Sequence, residues 1–459
     1  MKRKQTEDKR AQPFFKVKMK KNDVVLGCVS DYTSEGLGVV KLEGFPVFVK
    51  DMMIGECGEI VLTLIKKNFG YGRRLSIVKE SKDRVVPRCS VVKQCGGCQI
   101  MHMSKEHQAD FKQNLVVQVM KRIAKVDTEV RPILTMSDPW FYRNKVQVPV
   151  KCDNEGVKIG FYQTNSHEII DMDECMVQST EQNEIIAWMR TFLLSRPIPQ
   201  LRHIIIRQAF KSKQVMVAFV SRYRHFDHEE KLVELMTKRF DYIKSVMVTV
   251  NNRDDNVIMG DTDDVLFGQN FIEDELMGLK FKVSLRSFFQ VNPIQTEVLY
   301  HQVYMLADLK KTDVLLDLYC GVGTIGGFLA RFVDEVIGVD VEKDAIEDAW
   351  ANSMLNHIPN IDFWAMDAKG AKKRLADEGK KVNVIVVDPP RKGLSSEVIA
   401  DILEIAPERL IYVSCDPATL ARDIALLKEQ YDVKVIQPVD MFPQTVHVET
   451  VVLMTKVNN

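Results

Sequence analysis

Leu410-Ile-Tyr-Val-Ser-Cys-Asp-Pro-Ala-Thr419 reads as a strand that stops at a thiol and hands over to a helix. Strand-forming residues run up to Ser414, Asp416-Pro417 breaks the extended backbone, and helical patterning follows from Ala418. Open α/β sheets meet their ligands at the carboxyl ends of strands, so Cys415 stands where a nucleophile belongs. Two more segments have the same layout. Asp388-Pro-Pro-Arg-Lys-Gly393 follows the apolar run Val382 to Val387, and Asp317-Leu-Tyr-Cys-Gly-Val-Gly-Thr324 follows Val314-Leu-Leu.

Working outward from these segments, strands are expected at 313–318, 335–340, 361–366, 383–388, 409–415 and 433–438, with helical periodicity between them. Such alternation predicts an α/β domain over 283–459 with a doubly wound, mostly parallel sheet. The closing run Val446 to Met454 follows a loop with no crossover helix, so an antiparallel edge hairpin is expected there. Upstream, 81–282 mixes strands (His203 to Arg207, Val215 to Val220) with helices at His107 to Lys125 and His228 to Arg239, an α+β domain. The helix at about 107–125 is a candidate to pack on the catalytic domain. Short runs within 23–80, at Val24 to Ser30, Gly38 to Leu42, Phe45 to Val49 and Glu59 to Ile65, predict a small β-barrel.

The 63 basic residues balance 63 acidic ones, yet 1–22 is a basic tail with nine Lys or Arg against two acids. Lys66, Lys67, Arg73 and Arg74 flank Asn68-Phe-Gly-Tyr-Gly72. That mix suits a phosphate backbone with stacked bases, and equally a solvated hairpin. No apolar run is long enough for a membrane span, and Met1-Lys-Arg-Lys-Gln5 lacks the apolar stretch of a secretory signal. Nine cysteines, an odd number in a long chain, do not resemble a secreted disulfide framework, so a reducing cytoplasm is expected.

Gly321 and Gly323 open a tight turn after the first strand, and Asp340 ends the second strand, where it could accept bonds from a ribose. Taken alone, this motif serves a dinucleotide or S-adenosylmethionine equally well. Asp367, at the end of the third strand, would reach the adenine side. Amino-group methyltransferases place an aromatic after Asp-Pro-Pro, and here that position is Arg391, so a carbon acceptor is favoured. Carbon 5 of uracil becomes nucleophilic once a thiolate adds at carbon 6. That chemistry needs Cys415 as nucleophile, Asp388 to hold the uracil edge, and a base for the carbon-5 proton. Glu449 is the candidate base and His447 the second choice.

Cys89, Cys95 and Cys98 cluster as Cys-x5-Cys-Gly-Gly-Cys, with Cys175 further on. Four thiolates can close a zinc site or a 4Fe-4S cluster, and the spacing leaves both open. Cys28, Cys57, Cys152 and Cys320 read as packing residues.

Ser287-Phe-Phe-Gln-Val-Asn292, Asp317 to Thr324, Asp388 to Gly393, Ser414 to Thr419 and Val446-His-Val-Glu449 together resemble the 23S rRNA (uracil-5-)-methyltransferases of the RumA/RlmD family, including the dual-site RlmCD form. The resemblance implies a class I S-adenosylmethionine-dependent methyltransferase with a Rossmann-like sheet, behind an OB-like TRAM barrel that binds RNA. It assigns cofactor contacts to Gln290, Asp317, Tyr319, Gly321, Gly323, Asp340, Asp367 and Asp388. It assigns substrate contacts to Phe288, Gln290 and Asp388, with Cys415 as nucleophile and Glu449 as base. It implies a 4Fe-4S cluster on Cys89, Cys95, Cys98 and Cys175, and a monomer acting on a flipped uridine in a loop of 23S rRNA. Cytosine-5 enzymes carry Pro-Cys on strand four, where this chain has Pro-Pro. The related tRNA enzymes generally lack the barrel and the cluster, which favours ribosomal RNA. The alternatives are a tRNA uracil-5-methyltransferase, a catalytically inactive iron–sulfur RNA-binding scaffold, and a nicotinamide oxidoreductase that would leave Cys415 and Glu449 without a role.

Overall fold

The computed structural model describes residues 19–164, 166–253 and 255–457, so most of the basic tail lies outside the described residues. The chain forms two compact units divided after Arg84. In the first, β1 (Val24–Tyr32), β2 (Gly38–Leu42), β3 (Phe45–Lys50), β4 (Cys57–Ile65) and β5 (Gly70–Arg74) close a barrel in the order β1-β2-β3-β5-β4. Its interior is filled by Val29, Val40, Val47, Val49, Ile60 and Leu62. The strand β5 was not among the expected runs because glycine is a poor strand former. Its Gly72 is there for room: a Cβ would come within 2.4 Å of the Ile60 Cγ2.

Two cysteines expected to be packing residues are instead bonded to each other. Cys28 and Cys57 face one another in the β1–β4 register and form a disulfide. Only the strand register brings them together, so sequence spacing carried no sign of the pair. Cys152 and Cys320 are buried and unbonded, as expected.

The second unit begins with α1 (Lys105–Val119), whose first turn is capped by the Ser104 hydroxyl accepting from the His107 N–H at 3.2 Å. One π-helical turn, Met120–Ala124, extends it. A seven-stranded sheet follows, made of β6 (Lys145–Asp153), β7 (Gly156–Tyr162), β8 (Ile169–Asp171), β9 (Leu201–Gln208), β10 (Val215–Ser221), β11 (Ile243–Val250) and β12 (Asp263–Gly268). Its order is β12-β11-β10-β9-β6-β7-β8. The helices α2 (Thr180–Ser195) and α3 (Glu229–Arg239) belong to this part, and the hairpin β13 (Phe271–Leu276) and β14 (Leu279–Ser284) leads out of it.

The last part alternates as expected. Its helices are α4 (Pro293–Ala307), α5 (Thr324–Leu329), α6 (Lys343–Leu355), α7 (Ala368–Asp377), α8 (Ser396–Ile405) and α9 (Pro417–Leu427). Its strands are β15 (Val314–Leu318), β16 (Glu335–Asp340), β17 (Ile361–Ala365), β18 (Val384–Val387), β19 (Arg409–Ser414), β20 (Tyr431–Val439) and β21 (Glu449–Lys456). The order is β17-β16-β15-β18-β19-β21-β20, with the first five strands parallel and β21 antiparallel to both neighbours. The expected antiparallel edge hairpin is present: β20 and β21 pair through the loop between them, with β21 against β19 and β20 at the edge.

Alternate residues of each strand feed two cores, as the pleat requires. Leu315, Val386 and Ile411 pack with Leu299 and Phe328 on one face. Leu316, Ile385 and Tyr412 pack with Leu420 and Ile424 on the other, where Val116 and Met120 of the first helix join them. Beside that contact the fully buried Lys112 pairs with Asp440 at 2.5 Å and donates to the Phe442 carbonyl at 2.9 Å. Among the described residues no helix is long and apolar enough to cross a membrane.

Candidate active site

Strand ends bring the chemistry together. Cys415 follows β19, where the Asp416 carboxylate accepts from the Ala418 and Thr419 N–H groups, both at 2.9 Å, and so starts α9. Ser414 pairs with Thr450 across the β19–β21 ladder. One step further along that register are Cys415 and Glu449. Asp388 follows the adjacent strand β18. The loop from Pro389 to Leu394 is tied down by the buried Asp423, whose carboxylate accepts from the Leu394 N–H at 2.8 Å and the Tyr412 hydroxyl at 2.7 Å.

Burial pushes the Asp388 carboxyl up to about 7. Glu449, only 4% exposed, is driven well above the carboxylate range by burial and then by the charge of Asp388, against an opposing pull from Arg391. The Cys415 thiol is raised to about 12 by burial, then by Glu449 and Asp388, while Arg391 favours the thiolate. Each of these groups is felt by the others, so the sequence-predicted trio forms one electrostatic cluster with Arg391. Two carboxyls lifted by burial and one reluctant thiol are a proton-exchange set. His447 does not share a strand face with Glu449, because it lies in the loop before β21. Its Nε2 is 3.5 Å from the Arg391 guanidinium, and burial, then that charge, lowers its pKa.

The glycine turn forms a second cluster beside the first. Asp317 is buried and accepts from the Gly326 N–H at 2.9 Å through Oδ2, while its Oδ1 has no partner. Burial raises this carboxyl to about 8, with Asp388 and Asp340 adding to the effect. Asp340 accepts from the Gly321 N–H and the Glu342 N–H, both at 3.0 Å. Tyr319 and Gly321 have positive φ, and nothing lies within 4 Å of where a Gly321 Cβ would stand. An orphaned buried carboxylate oxygen beside an open backbone cradle fits a polar, cationic ligand. Gly323 caps the amino end of α5. Asp367 is exposed and caps α7, accepting from the Gly370 N–H at 2.8 Å. Gln290 is half-buried, its carbonyl accepting from the Asn144 amide at 2.9 Å, and the neighbouring Phe288 is 68% exposed.

Sequence reasoning missed Tyr300. It is buried beneath both clusters, its hydroxyl 2.7 Å from the Thr324 hydroxyl, with Asp388, Asp317 and Glu449 raising its pKa after burial. On a helix with core periodicity, an aromatic looks like packing.

Cys89, Cys95, Cys98 and Cys175 all line one cavity of about 460 Å³. Burial and then the other three thiols push Cys98 above the usual thiol range, and burial raises Cys175 to about 11. Four mutually repelling thiols are a donor set that a metal group would satisfy. As placed they do not close on a common point: among the described residues no three His, Cys, Asp or Glu side chains stand together at metal-holding distance.

A family profile described as tRNA (uracil-5-)-methyltransferase matches residues 104–457. The chain belongs to the tRNA (uracil-5-)-methyltransferase family. This methyltransferase is 41% identical to an uncharacterized RNA methyltransferase of Halalkalibacterium halodurans, over 95% of this chain and 97% of that one. It is also 41% identical to one from Clostridium acetobutylicum, over 96% and 99%. Among solved structures it resembles the Pyrococcus abyssi tRNA (uracil-54, C5)-methyltransferase in complex with S-adenosyl-L-homocysteine, with a TM-score of 0.74 and 28% identity over 94% of this chain and 99% of that one. The fold is therefore that of the methyltransferases, with the amino-terminal barrel added. A match over 94% of the chain reaches into that barrel. The barrel thus does not separate ribosomal-RNA enzymes from transfer-RNA enzymes, contrary to the expectation from sequence.

Proposed function

We propose that the protein methylates carbon 5 of a uridine in 23S rRNA, with S-adenosylmethionine as methyl donor. The observation that supports it best is the convergence of Cys415, Asp388, Glu449 and Arg391 where β18 and β19 end and β21 begins. In this reading the Cys415 thiol gives its proton to the Asp388 carboxylate, leaving Glu449 ionised, and its sulfur bonds to carbon 6 of the uracil. Arg391 stabilises the thiolate, and Asp388 holds the base edge. The donor supplies an electrophilic methyl group, which carbon 5 takes. Glu449 then removes the carbon-5 proton, the carbon–sulfur bond breaks, and the thiolate leaves. Desolvation makes the ionised Glu449 a stronger base than an exposed carboxylate, which suits that step.

Gln290, Asp317, Tyr319, Gly321, Gly323, Asp340, Asp367 and Asp388 would hold the donor, and the orphaned Asp317 Oδ1 supports a cationic or hydrogen-bonding ligand there. Phe288, Gln290 and Asp388 would meet the flipped base. Cys89, Cys95, Cys98 and Cys175 would hold a 4Fe-4S cluster, which the shared cavity supports. A TRAM barrel at 23–80, a central domain at 81–282, a catalytic domain at 283–459, a monomeric state and a cytoplasmic location complete the reading.

Transfer RNA is the second reading, favoured by the likeness to the Pyrococcus abyssi enzyme over nearly the whole chain. Incubation with tritiated-methyl S-adenosylmethionine and unmodified 23S rRNA or tRNA, followed by nucleoside analysis, decides between them. Label in 5-methyluridine from 23S rRNA alone supports the first reading, and label from tRNA alone replaces it with the second. Label in a nucleoside other than 5-methyluridine overturns the chemistry.

A further inference from the structure

The cavity that holds the four cysteines extends to Phe288 and Ser287. We propose that its Phe288 end is a second nucleotide subsite, taking a residue of the RNA strand next to the target uridine. The proposal rests on the RNA-methylation reading and deepens it.

Three observations carry it. The first is Gln178, fully buried on the cavity wall, with neither its amide nitrogen nor its amide oxygen bonded to any of the described residues. Buried amides are almost always satisfied, and this one offers a donor beside an acceptor, the pattern that reads the edge of a base.

The second is charge. Lys145 on β6 and Arg207 on β9 are direct cross-strand partners, and both line the cavity with Arg143 and Arg286. Like charges directly opposite on a sheet repel. Among the described residues the cavity lining contains no Asp or Glu to relieve them. Arg286 is already engaged by Asp263 at 2.6 Å. Arg207 donates to the carbonyls of Ser284, Leu285 and Ser287 at 2.6, 3.1 and 2.8 Å, which fixes the turn that presents Phe288. That leaves Lys145 and Arg143 to meet an anion, and the phosphodiester of an RNA strand is the anion this reading supplies.

The third is shape. The volume of about 460 Å³ lies within the range of small-ligand sites, and the exposed Phe288 ring, one face of which the target base would take, offers its other face to the neighbouring nucleotide. The Arg207 bonds to Ser284 and Ser287 put the cation pair at the Phe288 end, so a cluster on the four thiols and a nucleotide by Phe288 would occupy different ends. Gln178 lies between them, bridged to Arg143 and three residues beyond Cys175.

The test uses the full-length protein carrying Gln178→Leu or Lys145→Met, with a short substrate RNA. Three properties are measured: KM and kcat for the RNA, affinity for S-adenosylmethionine, and visible absorbance. The expected result is a rise of about tenfold or more in KM with kcat changed by less than about threefold, the scale of one lost base contact. Cofactor affinity and absorbance stay at wild-type levels, and Lys145→Arg restores KM. An abasic residue beside the target should cost the wild type a similar factor and cost Gln178→Leu little more. Unchanged KM in both variants overturns the subsite. Loss of visible absorbance in both assigns the cavity to the metal group alone and also overturns it. A wild type that labels no RNA fails the underlying reading instead, and is told apart because it fails before any variant is compared.

Discussion

Replacing Glu449 with Gln keeps the size of the side chain and removes the base. Glu449 is 4% exposed and surrounded by Asp388, Cys415 and Arg391, so water cannot easily take over the carbon-5 proton. A general base is worth about 10²–10⁴ in rate, or about 3–5 kcal/mol of barrier. The earlier steps should not slow. After burial, Glu449 is the leading cause that lifts the Cys415 thiol to about 12, so neutralising it makes the thiolate easier to form. The variant should therefore add to the RNA, accept the methyl group and stall. Quenching with detergent and running a denaturing gel should show a slow band carrying both RNA and methyl label, approaching one RNA per enzyme, while turnover drops by the factor above. Turnover within about tenfold of the wild type, with no slow band, would refute the base assignment. A slow band without methyl label would place the role of Glu449 before methyl transfer.

Cys415→Ala should abolish both turnover and the adduct while calorimetry still detects S-adenosylmethionine binding; residual turnover removes the thiol from the mechanism. Lys112→Met leaves Asp440 as an unpaired buried charge and should cost about 3–5 kcal/mol in urea unfolding, and a loss below about 1 kcal/mol would mean the pair is not buried as described. Asp317 has a folded pKa near 8, above its unfolded value, so its contribution to stability is complete in acid and is lost as pH rises through about 8. The melting temperature of the ligand-free protein should fall between about pH 4 and 8, and Asp317→Asn should flatten that fall; an unchanged slope would show that this carboxyl is not the titrating group.

The strands of the catalytic sheet were legible because parallel strands buried on both faces are unbroken apolar runs, as Val384 to Val387 is. The strand β5 was not, since its glycines serve close packing against Ile60 and erase the strand signal. The interior place of β21 and the Cys28–Cys57 bond both depend on which strand lies beside which, and local sequence does not encode that. Cys415, Asp388 and Glu449 could be picked out because strand ends advertise themselves. Tyr300 and Asp423 could not, since an aromatic or an acid within a helix looks the same whether it supports a site or merely packs.

The position of β21 has a consequence for how activity arises during folding. Cys415 and the acid that raises its pKa are placed by strands separated in the chain by a helix, a strand and a loop, and only the β19–β21 register sets them side by side. Lengthening the turn between α9 and β20 leaves their spacing intact. A one-residue slip of β21 turns Glu449 to the opposite face and brings Thr450 into its place. A folding intermediate in which β21 has not yet docked has the thiol without Glu449, at once the proposed base and the acidic neighbour that raises the thiol's pKa. On the proposed mechanism, docking of that single strand supplies the base and at the same time restrains the thiol.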